Sequence, residues 1–135
     1  MKAMGIDFGL ARIGIALSDE TKFLASPFIT YKRKTLEQDL NYILELIKTK
    51  NIDEIVCGLP MNMQGEEQKI AQQTRNFMSE LEKQTNVKIE FIDERLSSVM
   101  AEELLKETER DWKKRKEKLD AVAASILLQD YLDAK

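Results

Sequence analysis

The fold is decided by the opening stretch KAMGIDFGL, which runs from Lys2 to Leu10. Its side chains alternate between large apolar and small or acidic residues, which is the period of a β-strand. One side of the predicted strand bears Met4, Ile6 and Phe8, and the other bears Ala3, Gly5, Asp7 and Gly9. We therefore predict a central strand with one apolar side in the core and one side on which the backbone is bare.

Four further strands and four helices are predicted after this strand. Residues 12–18 repeat the alternation and form a hairpin with it, and residues 23–31 form a third strand. Pro27 places that strand at a sheet edge, because proline cannot donate to a ladder. Thr35 begins the first helix, with Gln38 at the spacing of a capping box. The later elements are expected as a strand at 55–58, a helix at about 66–84, a strand at 87–92, a helix from Ser97 or Ser98 to Leu105, and a helix at about 117–132.

This order of elements predicts an α/β fold. Three antiparallel strands are followed by helices and strands in alternation, which is typical of a mixed sheet with helices packed on its faces. Because crossovers between parallel strands are right-handed, we expect the fourth strand beside the first and the fifth strand outside it. The predicted sheet therefore has five strands in the order 3-2-1-4-5, flanked by helices.

The composition limits both the size of the protein and its chemistry. A chain of 135 residues, 43% hydrophobic and 33% charged, is expected to form a single domain over residues 1–135. No apolar stretch is long enough to cross a bilayer, and the first residues indicate a strand instead of an export signal, so we expect a cytoplasmic protein. One cysteine and no histidine exclude thiolate or imidazole zinc sites and histidine-based catalysis. Oxygen ligands remain, and they favour Mg²⁺ or Mn²⁺.

Three acidic positions are candidates for chemistry, each with a competing interpretation. Asp7 lies on the central strand beside Gly5 and Gly9, which would admit a phosphate or a metal; alternatively, it caps a turn into Gly9. Glu94, in the sequence Asp93-Glu94-Arg95, follows the fifth strand, where loops form most sites; alternatively, it is a surface acid. Asp120 adjoins the buried side of the last helix, whose alanines allow close packing on the sheet; alternatively, it is a first-turn acid stabilised by the helix dipole.

Basic residues form two clusters in a chain whose net charge is only −3. The first is Lys32 to Lys34, and the stronger one runs from Arg110 to Lys118 around Trp112. By count alone, a solvated charged face is the expected interpretation, and a phosphate-binding surface is the alternative. Trp112 is open to two interpretations, as satellite core or as a stacking partner for an unpaired base.

Four motifs follow one another along the chain. They are Gly5-Ile6-Asp7-Phe8-Gly9 with Arg12-Ile13-Gly14 and Ser18-Asp19, then Gly58-Leu59-Pro60 with Met63 and Gly65, then Asp93-Glu94-Arg95-Leu96-Ser97-Ser98, and finally Lys116 to Asp120 leading into Ala123-Ala124. In these residues the chain resembles, over nearly its whole length, the YqgF or RuvX family of ribonuclease H-like proteins. That family is described as Holliday-junction resolvases and as nucleases of small-subunit ribosomal RNA precursors.

The resemblance implies a ribonuclease H-like nuclease that uses two divalent ions, Mg²⁺ or Mn²⁺, to hydrolyse phosphodiesters. It implies that Asp7, Glu94 and Asp120 are the catalytic and metal-holding carboxylates, with Asp93 as a substitute or supporting partner for Glu94. The RuvC resolvases carry a glutamate at the end of the fourth strand, where this chain has Gly58, Leu59 and Pro60. The middle ligand is therefore open between Glu94 and Asp93.

Contacts to nucleic acid then fall to basic side chains, which position a phosphate backbone without reading bases. Those expected to make them are Arg12, Arg95, Lys113, Lys114, Arg115 and Lys116. The favoured substrate is the 5′ end of the 16S ribosomal RNA precursor; the alternatives are a Holliday junction in DNA, or a non-catalytic nucleic-acid-binding module. The protein is expected to be a monomer or a homodimer without a membrane partner. A similar hairpin opens sugar kinases and actin-like ATPases, but those enclose a nucleotide between two such domains.

Overall fold

The structure is a computed structural model that describes residues 1–61, 64, 69–93 and 97–135, the side chains of Ser97 and Ser98 excepted. Within these residues five strands form one sheet: β1 (Lys2–Phe8), β2 (Arg12–Ser18), β3 (Ala25–Lys32), β4 (Ile52–Leu59) and β5 (Lys88–Asp93). The strand order is β3-β2-β1-β4-β5, with β1 at the centre. The pairs β1–β2 and β2–β3 are antiparallel, and the pairs β1–β4 and β4–β5 are parallel. The predicted mixed sheet and its order are therefore confirmed, as is the edge position of Pro27.

Four helices accompany the sheet in the described residues: α1 (Leu36–Thr49), α2 (Lys69–Glu82), α3 (Ser97–Thr108) and α4 (Trp112–Asp133). The capping box of α1 is confirmed, because Thr35 Oγ1 accepts from the Gln38 N–H at 3.1 Å and the Gln38 side chain accepts from the Thr35 N–H at 3.3 Å. None of the described helices combines the length and the apolar character needed to cross a bilayer.

Helix α4 begins earlier than the sequence pattern predicted. Its first residue is Trp112 instead of a residue near position 117, and Asp111 caps it by accepting from the N–H groups of Lys113 and Lys114. Lysine and arginine are good helix formers, so the basic segment extends the helix instead of linking α3 to it. The strongest basic cluster of the chain is thus held on a regular helix, in the same element as Asp120.

Both faces of the sheet are covered. On one face, Met4 and Ile6 of β1 belong to a core with Ile43 of α1 and Phe77 of α2. On the other face, small side chains of the central strands contact the buried part of α4; this core contains Ala3, Ala16, Val56, Ala124, Leu127, Leu128, Tyr131 and Leu132. Helix α3 packs on the outer side of α4 through Ala101, Leu105, Val122 and Ala123. Helix α4 therefore packs on the bare side of β1.

Two glycines on that side let the α4 backbone approach the sheet. A Cβ at Gly5 would lie 2.8 Å from the carbonyl oxygen of Ala124 and 2.8 Å from the Cβ of Leu128. A Cβ at Gly14 would lie 2.0 Å from the carbonyl oxygen of Asp120. The expectation that Gly5 admits a phosphate or a metal is wrong, because the group that approaches it is the helix itself. Gly9 serves the hairpin, where its N–H donates to the carbonyl of Arg12 at 2.9 Å.

Candidate active site

Asp7 and Asp120 lie at one place on the α4 side of the sheet. Asp7 of β1 pairs across the ladder with Gly14 of β2. Residues opposed on antiparallel strands share a face and have Cβ atoms about 4.5–5.5 Å apart. A Cβ at Gly14 would lie only 2.9 Å from the Cβ of Asp120. The Cβ atoms of the two acids are therefore within roughly 8 Å of one another, although the residues come from opposite ends of the chain.

Thr30 of β3 holds the α4 backbone at this place. Thr30 pairs with Gly14 on the side away from Asp7, so the three residues form one row across the sheet. The N–H of Ala121 donates to Thr30 Oγ1 at 3.2 Å, immediately after Asp120. Farther along α4, the Gln129 side chain accepts from the Ala25 N–H at 2.8 Å. These contacts attach the helix to the β3 edge and so determine where Asp120 lies.

Thr30 and Gln129 were not predicted from the sequence, because each acts across elements that are distant in the chain. One usable signal was present in the sequence. A hairpin that joins β1 to β2 through Gly9 to Arg12 places Gly14 opposite Asp7, and a glycine opposite a candidate ligand indicates that another element approaches there.

Arg12 forms an ion pair with Asp120. Its Nε donates to Asp120 Oδ2 at 2.6 Å, and the two side chains are 44% and 21% exposed. An ion pair with this exposure contributes about 0.2–1 kcal/mol to stability, because solvent screens it. The ion pair orients the Asp120 carboxylate and holds a guanidinium beside it. The sequence predicted Arg12 as a phosphate contact, and the structure adds this second partner.

The position of Asp120 in α4 excludes one competing interpretation. Helix α4 starts at Trp112, so Asp120 lies in its third turn. The stabilisation of an acid by the helix dipole is confined to the first turn. The interpretation of Asp120 as a first-turn acid is therefore wrong.

The end of β5 is described only as far as Asp93. Phe91 packs with the core on the α1 and α2 face, whereas Ile92 packs with the core beneath α4. Because side chains alternate along a strand, Asp93 is assigned to the α1 and α2 face, opposite to Asp7. The predicted ligand Glu94 and the predicted phosphate contact Arg95 lie outside the described residues, as do Met63 and Gly65 of the second motif.

The basic residues at the start of α4 do not all align with Asp120. Lys113 and Lys116 precede Asp120 by seven and four residues, and this spacing places all three on one side of the helix. Lys114 precedes it by six residues and is turned about 120° away around the helix. Arg115 has a structural contact, since its Nη1 donates to the carbonyls of Glu109 and Arg110 after α3 at 3.0 and 3.2 Å. Of the predicted set on this helix, Lys113 and Lys116 are thus the ones aligned with the candidate site.

The donor set at this place suits a hard cation. No group of three acidic, histidine or cysteine side chains able to hold a metal occurs within the residues that the structure describes. What the described residues supply is a pair of carboxylates, Asp7 and Asp120, both only partly buried. Carboxylate oxygens are ligands that Mg²⁺ and Mn²⁺ prefer, and two like charges in one place favour the binding of a cation. These residues therefore fit a divalent ion.

A buried ion pair supports the turn that follows Asp7. The carboxylate of Asp39 is fully buried and accepts from Lys34 N–H at 2.8 Å, Arg33 Nε at 2.9 Å and Tyr31 OH at 3.0 Å. Burial raises the pKa of Asp39, but these hydrogen bonds outweigh it and hold the pKa below its ordinary value. Arg33 also donates to the carbonyl of Gly9 at 3.3 Å. The network thereby fixes the end of β1 from the face opposite to α4.

A cavity of about 600 Å³ lies on that opposite face, lined in part by Phe8, Arg33 and Phe77. Phe8 points away from the α4 side, so this cavity does not coincide with the carboxylate pair. A second cavity, of about 330 Å³, lies between α3 and α4 and includes Arg12, which contacts Asp120. Of these two cavities, the second adjoins the candidate site.

Comparison of the whole chain with curated proteins shows close relatives. A protein of Maridesulfovibrio salexigens named "Putative pre-16S rRNA nuclease" is 40% identical over 132 residues, which cover 98% of each chain. A protein of Halothermothrix orenii with the same name is 44% identical over 133 residues, covering 98% of this chain and 95% of the relative. The similarity thus extends over nearly the full length of both relatives.

Solved structures show the same fold at low sequence identity. The RuvC of Thermus thermophilus in complex with a Holliday junction substrate matches with a TM-score of 0.61 at 14% identity, covering 99% of this chain and 94% of that one. The Holliday junction resolvase of fowlpox virus matches with a TM-score of 0.58 at 15% identity, covering 99% of both chains. The chain therefore has the ribonuclease H-like fold that its motifs implied. Residues 1–134 match the family described as "RuvX: Holliday junction resolvase", and together with the relatives this match shows that the chain belongs to the RuvX family.

Proposed function

We propose that this protein is a divalent-metal-dependent nuclease that hydrolyses phosphodiesters of nucleic acid, with Asp7, Glu94 and Asp120 as its catalytic and metal-holding carboxylates. The observation that carries the proposal is the contact of α4 with Gly14 of β2, the residue opposite Asp7 on β1, which brings Asp7 and Asp120 together. Carboxylates are unfavourable neighbours unless a cation lies between them. Arg12 offsets the charge of Asp120 in part, and two carboxylates at one place are a donor set suited to a divalent ion.

The ions proposed are Mg²⁺ or Mn²⁺, two of them, held by the three carboxylates. When bound, such ions activate water and stabilise charge on the attacking and leaving oxygens of an in-line displacement. The chain's own contribution is position: β1 holds Asp7, and the Thr30 contact to α4 holds Asp120. Asp93 has weaker support as the third ligand, since the alternation along β5 assigns it to the other face of the sheet. Glu94 belongs to the proposed set on the motif alone.

The proposed contacts to the nucleic-acid backbone come from basic residues near this pair. Arg12, Lys113 and Lys116 are the best placed, because they lie beside Asp120 or on the same side of α4. Arg95 belongs to the proposed set on the motif alone. Lys114 and Arg115 have weaker support, because the spacing turns Lys114 away from Asp120 and Arg115 is bonded to carbonyls after α3. Arginine and lysine at such positions bind phosphates of any sequence.

The proposed substrate is the 5′ end of the 16S ribosomal RNA precursor. The support is that relatives 40% and 44% identical along nearly their whole length carry the name of a pre-16S rRNA nuclease. The family description supports a second candidate, the resolution of Holliday junctions in DNA. A third candidate is a module that binds nucleic acid without cutting it. We further propose that residues 1–135 form one nuclease domain and that the protein acts in the cytoplasm, where ribosomal RNA is matured.

A cleavage panel separates these candidates. Wild-type protein, Asp7→Asn and Asp120→Asn are incubated with Mg²⁺ or Mn²⁺ and with either an extended 16S precursor or a four-way DNA junction. Asp130→Asn is the matched control, because Asp130 is an exposed residue of the same helix. We expect precursor cleavage by wild type and by the control, and a loss of at least 100-fold in Asp7→Asn and Asp120→Asn.

The outcomes are distinct. Cutting confined to the junction would favour the resolvase, and binding of either substrate without any cutting would favour the non-catalytic module. Equal cleavage by wild type and Asp7→Asn would remove the carboxylate pair from the mechanism. Cleavage that persists in excess chelator would show that the reaction does not depend on a divalent metal.

A further inference from the structure

The cavity between α3 and α4 has the features of a binding site for a polyanion. Its volume is about 330 Å³, and its charged lining residues are Arg12, Lys106, Arg115 and Lys116 on the basic side and Glu102 on the acidic side. Because Arg12 is paired with Asp120, three other cations face one carboxylate, and the groove is still positive in a chain whose net charge is −3. A concentration of positive charge of this kind attracts phosphate groups.

Trp112 stands at this groove with most of its surface in water. It lines the cavity and is 65% exposed, whereas the core between α3 and α4 is formed by Ala101, Leu105, Val122 and Ala123 without it. The interpretation of Trp112 as satellite core is therefore wrong. Exposure alone does not make an aromatic side chain a binding residue. At Trp112 the exposure is combined with the cations of the groove, which is the arrangement found in surfaces that bind single strands.

A cation is held beside the indole ring. The Nζ of Lys116 lies 5.3 Å from the centroid of the Trp112 ring, one helical turn farther along α4. Leu105 and Leu119 complete the apolar part of the lining. An aromatic face next to an ammonium group and apolar side chains offers stacking for a base and an ion pair for its phosphate.

The groove leads to the candidate active site. Arg12 lines the groove and contacts Asp120 at 2.6 Å. Trp112 and Asp120 are eight residues apart on one helix, a rise of about 12 Å, which corresponds to no more than about four nucleotides at the 3.4 Å rise of a stacked strand. A nucleic-acid chain that reaches the carboxylates can therefore reach Trp112 within the same short segment.

We propose that this groove binds an unpaired nucleotide, with its base stacked on Trp112 and its phosphate held by Lys116, so that the substrate carries a single-stranded segment beside the phosphodiester that is cut. The inference rests on the proposed nuclease function and names the conformation of its substrate. Bases within a duplex are stacked on each other and expose only their edges, whereas an unpaired base presents a face to an aromatic side chain. A duplex can therefore contact the cations of the groove but cannot stack a base on Trp112.

The test uses the intrinsic emission of Trp112, which is the only tryptophan in the chain. A mixed-sequence 12-nucleotide RNA, the same sequence as DNA, and each one annealed to its complement are titrated into the full-length protein in excess chelator, so that no cleavage occurs. We expect saturable quenching by both single strands and little change with the duplexes. Quenching of equal size by single strands and duplexes would overturn the inference.

Affinity measurements test the stacking on Trp112 without using tryptophan emission. The anisotropy of labelled oligonucleotides is followed with wild type, Trp112→Ala and Trp112→Phe, and circular dichroism verifies that the helices are intact. We expect Trp112→Ala to weaken binding of the single strand about tenfold or more and Trp112→Phe to restore most of it, with duplex affinity changed less than twofold. Unchanged affinity of Trp112→Ala for the single strand would refute the stacking.

Two further outcomes separate this inference from its alternatives. A polyglutamate peptide that quenches Trp112 as strongly as the RNA would show that the groove accepts acidic peptides, and would overturn base stacking. Because binding is measured without metal, stacking can be established even if Asp7→Asn cleaves normally. Conversely, intact cleavage by wild type with no stacking would remove this inference and leave the nuclease function in place.

Discussion

Replacing Gly14 by alanine tests the contact on which the candidate active site depends. The new Cβ would lie 2.0 Å from the carbonyl oxygen of Asp120, 2.3 Å from its carbonyl carbon and 2.9 Å from its Cβ. Ordinary contact begins at 3.4 Å, so the α4 backbone must retreat by about 1.4 Å. Two of the three atoms belong to the main chain, so that no change of rotamer relieves the collision.

The expected cost follows from this displacement. Overpacking costs about 1–3 kcal/mol where side chains yield, and a collision with main-chain atoms belongs at the upper end of that range. The same retreat stretches the 3.2 Å hydrogen bond from Ala121 to Thr30, worth about 1 kcal/mol. We expect the free energy of unfolding to fall by about 3–4 kcal/mol. Since a misplacement of about 1 Å costs about 100-fold in rate, kcat/KM for cleavage should fall by about that factor.

Gly5→Ala is the matched control for this experiment. Its Cβ would meet the carbonyl oxygen of Ala124 at 2.8 Å, so that a smaller retreat, about 0.6 Å, restores ordinary contact one turn away from Asp120. We expect a loss of about 1–2 kcal/mol and less than a tenfold loss of kcat/KM. Urea unfolding followed by circular dichroism gives the free energies, and cleavage is measured below the unfolding transition.

Normal stability and normal cleavage in Gly14→Ala would refute the reasoning, because α4 could not then lie against Gly14. The contact from which the proximity of Asp7 and Asp120 is inferred would then not exist. A large stability loss with normal cleavage would separate the fold from the catalytic role, and would remove Asp120 from the site.

Three further predictions follow from single contacts. Asp39→Ala should lower the free energy of unfolding by about 3–5 kcal/mol at pH 7, because it leaves the Lys34 N–H, the Tyr31 hydroxyl and the partly buried guanidinium of Arg33 without their acceptor. The pKa of Asp39 is lower in the folded than in the unfolded protein, so its contribution to stability is present above the unfolded pKa of about 3.9 and is lost as the pH falls below it. In urea unfolding from pH 7 to pH 3, the free energies of unfolding of wild type and Asp39→Ala should therefore converge only at the acidic end. Arg12→Gln should raise the affinity for Mn²⁺ about two- to fivefold, measured by calorimetry without substrate, since it frees Asp120 from its ion pair. Lys32→Gln is the control, because Lys32 is the cross-strand neighbour of Arg12, and it should leave the affinity unchanged. Equal Mn²⁺ affinities in the two variants would contradict this prediction. Thr30→Val should cost about 1 kcal/mol in urea unfolding, and a stability equal to that of wild type would show that its hydroxyl does not hold α4.

Much of the fold was predictable because it follows from local chemistry. The alternation in β1 and β2, the capping box at Thr35 and the proline in β3 each depend on neighbouring residues, and all three predictions are confirmed. The strand order followed from one general rule, the handedness of crossovers. The start of α4 was placed too late, because a run of charged residues has no hydrophobic period even where it is helical.

The residues of the candidate site were more predictable from the sequence than their arrangement in space. The motifs named Asp7, Asp120 and Arg12, but the ion pair between Arg12 and Asp120 depends on how far α4 is shifted along the sheet. The division of the basic segment between Lys116, which is aligned with Asp120, and Arg115, which is bonded to carbonyls after α3, also required the helix in place. The exposure of Trp112 excluded the satellite-core interpretation, which the sequence alone had favoured.

By itself, the amino-acid sequence determined the order of the strands, the faces of β1 and the acids available for chemistry, because periodicity and turn residues act over a few neighbours. Only the tertiary structure decided what covers the bare side of β1 and where Asp120 lies. The physical reason is that a helix settles on a sheet through close contact between main-chain atoms, here at Gly5 and Gly14, and such contact depends on residues more than 100 positions apart.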